Sequence, residues 1–296
     1  MNRVIKNSLW GLLSLTGIIL LGLTLWIGPM VYRSLVGLKV FEFVPPELPA
    51  NLDEKAILIF SKTNGFRDDK QIATANAVLT DIAQRSGWTS YVTENGAVFN
   101  QLQLQKFRAV VWNNVSGNVL TKDQREAFKA WIEQGGGFVG LHGAGGDPSY
   151  DWQWYEDELI GAKFNGHTLG PQIQEATLLI ENSDHPVTVG LDKVWVRSDE
   201  WYSFVDNPRD KGYQILITID ESSYLPVEGL LPFIEPKDIR MGADHPLVWS
   251  HCVGKGRALY SALGHTAASY EEPEHQQLLA GAISWAAGFA GQVCPE

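Results

Sequence analysis

Beyond residue 54 the sequence predicts an open, three-layer α/β sandwich around a mostly parallel sheet. Three observations carry this expectation. Short continuous apolar runs recur, such as Ile57-Leu58-Ile59-Phe60, the pattern of strands buried on both faces. Amphipathic stretches at helical spacing separate them. The alternation then closes on a late antiparallel hairpin, marked by the turn Gly254-Lys255-Gly256.

The elements follow in order. A helix from about Gln71 to Arg85 places Ile72, Ala75, Leu79, Ile82 and Ala83 on one face. Strands are expected at 88–92 and 109–112. Thr121 caps a helix reading TKDQREAFKAWIEQ, which stops at Gly135-Gly136-Gly137. A fourth strand, 138–141, comes next, and later ones fall at 176–180, 215–219, 247–251 and 258–263. A helix over 274–287 closes the domain, whose expected limits are 55–290.

The amino-terminal part differs. No charged residue occurs from Leu9 to Tyr32, a stretch long enough to span a bilayer. No Ala-x-Ala cleavage pattern follows it, so residues 1–32 read as a retained membrane anchor, with 9–32 in contact with lipid. Residues 33–54, which include VPPELPANLDE, read as a proline-rich spacer. Arg3 and Lys6 before the stretch, against Arg33 and Lys39 after it, favour a cytoplasmic amino terminus only slightly. The domain is then expected on the periplasmic or extracellular side. An oxidising compartment would let Cys252 and Cys294 pair, but their spacing alone does not decide it.

Charge narrows the partners. The chain carries a net −11, and the residues after 50 hold 19 basic against 32 acidic side chains. Such a domain repels phosphate backbones, which argues against nucleic acid. The eleven tryptophans are more than core packing usually demands, and the partner expected is a carbohydrate or small polar ligand.

Several motifs deserve weighing. GGGFVG (135–140) fits the dinucleotide pattern, but its glycines precede a strand instead of following one, so the match is accidental. Closely spaced zinc motifs are absent. Gly140-Leu141-His142-Gly143-Ala144 forms a nucleophile elbow whose central place holds an imidazole. Asp199-Glu200-Trp201-Tyr202 sets acids beside aromatics, which suits either sugar binding or a solvated strand end. Asp147, Asp151, Trp152, Trp154 and Tyr155 repeat that mixture. The Asp-His-Pro triplets at 184–186 and 244–246 read as turns, although His245 fits a ligand contact equally well.

KTNGFRDD (62–69), LTKDQREAFKAWIEQGGGFVGLHGA (120–144), DEWYSF (199–204), DESSY (220–224), MGADHPLVW (241–249) and ALGHTAASY (262–270) resemble the ThuA-like, or trehalose-utilisation, family over about residues 55–289. The resemblance implies a flavodoxin-like sandwich similar to class I glutamine amidotransferases, and a role in sugar metabolism. Secreted members are described as glycosyl hydrolases. Against the amidotransferase triad, His142 stands where the cysteine belongs, His265 matches the late histidine, and Ala267 replaces the glutamate. Thiolate attack is therefore excluded, and with it glutaminase activity. The family's usual Gly-Phe-Arg-His-Asp loop here reads Gly65-Phe66-Arg67-Asp68-Asp69, which puts the family's catalytic activity in question for this chain.

Three readings follow. In the first, a hydrolase or lyase-type enzyme acts on a sugar or keto-sugar, with His142, His265 and Glu200 as catalytic groups. Arg67, Asn114, Asp147, Tyr155, Trp201, Tyr202 and His245 would then hold the substrate. In the second, the same surface only binds carbohydrate. In the third, a divalent metal cofactor is held by ligands drawn from His142, His167, Glu200 and His265. All three place the site at the carboxyl edge of the sheet, where residues 113–114, 142–147 and 265 follow strands.

Overall fold

The computed structural model describes residues 21–22, 24–25, 28–29, 31–34, 36–229, 233–292 and 294. Most of the expected membrane anchor lies outside these. The described residues from 21 to 34 are helical, and no helix among the described residues is long and apolar enough to cross a membrane.

The core is one nine-stranded sheet. Its strands are β1 (Ile57–Phe60), β2 (Ser90–Thr93), β3 (Ala109–Asn113), β4 (Gly137–Leu141), β6 (Ile173–Ile180), β7 (Val194–Glu200), β9 (Gln214–Ile219), β12 (Pro246–Val253) and β13 (Gly256–Ser261). Their order is β2-β1-β3-β4-β13-β12-β9-β6-β7. Seven of the nine run the same way, while β12 and β6 oppose them. Two small antiparallel pairs stand apart, β5 (Phe164–His167) with β8 (Tyr202–Phe204) and β10 (Val227–Glu228) with β11 (Lys237–Asp238).

Helices α1 (Asp69–Arg85), α4 (Ala267–Glu271) and α5 (Pro273–Ala286) pack together on one face. The other face carries α2 (Gln101–Leu104) and α3 (Lys122–Glu133). Capping follows the sequence: the Asp68 side chain accepts the Gln71 N–H, and Thr121 with Gln124 completes a capping box. Beneath α3, Trp112 stacks on Phe128 with ring centres 5.5 Å apart, and Phe138 meets Phe128 edge-on. A Cβ on Gly137 would collide with the Ala286 carbonyl, so the glycine that opens β4 lets α5 lie against the sheet. Trp112, Trp201 and Trp249 are all buried. These three tryptophans serve packing.

The supposed spacer is docked instead of loose. Leu38 N–H donates to the Asn64 carbonyl, and the Asn64 side chain donates back to the Val40 carbonyl. Glu42 pairs with Lys62, Asn95 bonds the Val44 carbonyl, and Gln103 bonds the Pro46 carbonyl. Cys252 and Cys294 form a disulfide that ties the carboxyl-terminal tail to β12.

One feature positions the site. β6 pairs with β9 only through Leu178–Ile180, so the amino-terminal half of β6 and the end of β7 overhang the sheet's carboxyl edge. That overhang brings the end of β7 back toward β4 and β13.

Candidate metal centre

His142 follows β4 directly, at the head of a short 3₁₀ turn, with φ of 44°. Left-handed backbone in a non-glycine residue is uncommon and persists where the surroundings over-determine it. Here phenols supply the restraint. Tyr260 Oη donates to the His142 carbonyl at 2.8 Å, and Tyr150 and Tyr155 both donate to the Ala144 carbonyl, at 2.9 and 2.6 Å. Asn114, itself at φ 53°, braces the turn from the β3 side and bonds Asn113, Tyr270 and Gln71.

The imidazole orientation is set chemically. His142 Nδ1 lies 2.8 Å from the Ala262 carbonyl, which only accepts, so Nδ1 carries the proton and Nε2 presents a lone pair. His142 Nε2 lies 3.1 Å from His265 Nδ1 and 3.2 Å from Glu200 Oε2, and His265 Nδ1 lies 3.1 Å from the same oxygen. Three donors make a near-equilateral triangle. An ion about 2.1 Å from each would see them at roughly 95–100° to one another, with one side left open. Two histidines and a carboxylate in this facial arrangement fit a divalent cation.

The second oxygen of Glu200 is already occupied. His167 Nδ1 donates to Oε1 at 2.9 Å and Gln172 Nε2 at 2.6 Å, which leaves Oε2 alone for the triangle. His167 is thus a neighbour of the cluster and not its fourth corner. Burial would raise the Glu200 carboxyl, but the His142 imidazole beside it and hydrogen bonds from His167 and His265 outweigh it and hold the group far below the usual carboxylate range. Burial would lower His167 and His265, yet hydrogen bonds to Glu200 raise both above an ordinary histidine. Asp199 is buried too, and Arg197, His142 and the Gly264 N–H keep it ionised against that burial.

A family model described as ThuA, trehalose utilisation, matches residues 56–286. The chain belongs to the ThuA family. Membership places it, coarsely, in carbohydrate metabolism. Among solved structures it resembles a ThuA-like protein from Bacteroides uniformis at 25% identity and TM-score 0.65, covering 81% of this chain and 94% of that one. A second ThuA-like protein, from Parabacteroides merdae, shares the fold at 19% identity and TM-score 0.61, over 82% of this chain and 93% of that one. Among curated proteins none matches.

For this ThuA chain the remaining expected site residues separate clearly. Tyr202 lies against the centre, its ring 4.2 Å from that of His142. The others make hydrogen bonds within the fold, and for the fully buried Trp201, Tyr155 and His245 this corrects their assignment to substrate. Trp201 is fully buried, with its indole N–H on the Gln174 carbonyl, so it offers no face to a sugar. Tyr155 and Asn114 brace the elbow as described. Asp147 accepts the backbone N–H and hydroxyl of Ser149 and closes a local turn. His245 is buried between Glu221 and the Tyr202 carbonyl, and so supports β8 from behind. Arg67 is held by Asp69, Glu94 and Thr63. Both cysteines are oxidised to one disulfide, so no thiol substitutes for the missing nucleophile. Gln172, in the loop before β6, is a site residue with no sequence signal of its own.

Proposed function

We propose that this chain is a metal-dependent enzyme of carbohydrate metabolism, tethered to a membrane through residues 9–32. His142 Nε2, His265 Nδ1 and Glu200 Oε2 would hold a divalent cation. The observation that carries the reading is the triangle of donor atoms, with sides of 3.1, 3.1 and 3.2 Å. A cation bound there would act as a Lewis acid on adjacent oxygens of a sugar or keto-sugar. His167 presents its Nε2 end with no partner among the described residues, while Nδ1 is fixed on Glu200, and so suits giving or taking a proton beside the bound sugar. Tyr202 forms the wall against His142. The Cys252–Cys294 disulfide supports placing the domain on an oxidising side of the membrane.

Elemental analysis of the purified protein, with turnover of a sugar and keto-sugar panel before and after EDTA, tests the proposal. Near-stoichiometric metal and EDTA-sensitive turnover are expected. Metal-free protein with EDTA-insensitive turnover would assign the same three side chains to acid–base work. Sugar binding with no turnover would reduce the site to recognition.

A further inference from the structure

Glu200 and His265 come from distant parts of the sheet, since β7 lies four places from β13. Side chains alone do not explain why they meet. The residue before Glu200 does. Asp199 Oδ1 accepts the backbone N–H of Glu200 at 3.0 Å and the backbone N–H of His265 at 2.9 Å. Oδ2 accepts the Gly264 N–H at 2.8 Å and lies 3.1 Å from Arg197 Nη2. Both carboxylate oxygens are therefore engaged, Oδ1 by two hydrogen bonds and Oδ2 by one hydrogen bond and the Arg197 ion pair. Arg197 is itself anchored, 3.3 Å from Glu272 and 4.6 Å over the Trp195 ring. Among the described residues no other hydrogen bond joins the backbone at 264–265 to the backbone at 199–200.

We propose that Asp199 is the positioning residue of this centre, its Oδ1 fixing the spacing between Glu200 and His265 by holding both backbones at once. This rests on the metal reading above for the ligand but not for the spacing. The physical reason is that an ionised carboxylate takes four donors, whereas an amide has one acceptor oxygen and turns an NH₂ toward them. Lengthening the side chain by one methylene keeps the charge for Arg197 while moving the acceptor. Outer partners of this kind typically change metal affinity by about 10–100-fold.

Co²⁺ titration of the full chain, Asp199→Asn, Asp199→Glu and Glu42→Gln, followed by visible absorption, tests the proposal alongside crystal structures of metal-free wild type and Asp199→Asn. Glu42 lies in the docked amino-terminal segment, so its variant controls for lost stability away from the centre. Both Asp199 variants should weaken Co²⁺ binding by about 10–100-fold, with Glu42→Gln within about twofold of wild type. In Asp199→Asn, His265 Nδ1 should move from hydrogen-bonding distance of Glu200 Oε2 to beyond about 4 Å. Wild-type affinity in both Asp199 variants would overturn the proposal, as would equal weakening in Glu42→Gln. If wild type takes up no Co²⁺, the metal reading falls, and the crystal separation alone decides: a spacing unchanged in Asp199→Asn overturns the positioning role, and a lengthened one upholds it.

Discussion

Lys62 Nζ lies 2.5 Å from Glu42 Oε2, and the lysine side chain is only 5% exposed. The same oxygen accepts the Gly96 N–H at 2.8 Å, and the Glu42 carbonyl accepts from Gln124 Nε2. One residue of the proline-rich segment therefore binds the loop after β1, the loop after β2 and the first turn of α3. The segment belongs to the domain.

Removing it should cost stability. Glu42→Ala leaves a buried ammonium without its partner, a change that costs about 3–5 kcal/mol when both groups are fully buried. Glu42 is 30% exposed, so about 2 kcal/mol is expected after discounting for solvent. Chains beginning at residue 36 should unfold at the same temperature as longer soluble forms, and chains beginning at 48 several degrees lower. Equal melting temperatures for the two would return 36–47 to the status of a spacer.

This docking was illegible because proline-rich composition predicts extended backbone but not what it lies upon. Other parts were plain. β1, β3, β4, the capped α3 and the β12–β13 hairpin all carry patterns that local physics enforces, and His142 announces itself between glycines. β7 defeated the hydrophobic rule. Its outward positions hold Val194 and Val196, while Trp195, Arg197 and Asp199 point inward. A strand with its charges inside reads as a loop, yet it carries the Asp199-Glu200 pair on which the centre depends. Trp201 and Tyr155 misled in the opposite direction, because an aromatic beside an acid looks the same in a core as in a cleft. Gln172 matters only because β6 overhangs the edge, a relation no local window contains.

The disulfide offers a second test. Cys252 and Cys294 close a loop of 42 residues, for which chain entropy predicts up to about 4 kcal/mol, with native strain subtracting from it. Paired replacement by serine should lower stability by about 2–4 kcal/mol in urea unfolding. The fold should persist, since Arg257 still holds the Trp285 and Ala290 carbonyls. A change below about 0.5 kcal/mol would show that the tail is held by those contacts alone.

Stability should also fall in mild acid. His251 donates from Nε2 to the Glu158 carbonyl and stacks on Tyr213 at 3.7 Å, while its buried Nδ1 has no partner among the described residues. Burial pushes its pKa down to about 4 from an ordinary 6.5. The folded ring stays neutral where the unfolded ring takes a proton. The unfolded state therefore binds more protons between those values, and stability drops as pH falls from 6.5 toward 4. His185, also lowered to about 4 by burial, adds to the same slope. His251→Gln should remove part of the difference between urea unfolding at pH 7 and pH 4.5, on the order of 2 kcal/mol. An unchanged pH slope in that variant would locate the acid sensitivity elsewhere.

The centre itself is best probed at His142, because two substitutions there separate backbone from chemistry. Asparagine tolerates the left-handed conformation that φ 44° imposes, whereas alanine pays roughly 1–2 kcal/mol for it. In EDTA, His142→Asn should therefore be more stable than His142→Ala by about 1 kcal/mol. Metal should then erase the resemblance between wild type and both variants. Ligand bound only by the folded state stabilises by about 2.7 kcal/mol at a hundredfold excess over Kd, so Zn²⁺ should raise the wild-type melting temperature by several degrees. Neither variant retains Nε2, and the triangle loses a corner in each. Their Zn²⁺-dependent rise should vanish together, whatever their difference in EDTA. A rise of wild-type size in His142→Asn would mean that the ion sits elsewhere and that the imidazole only braces the turn.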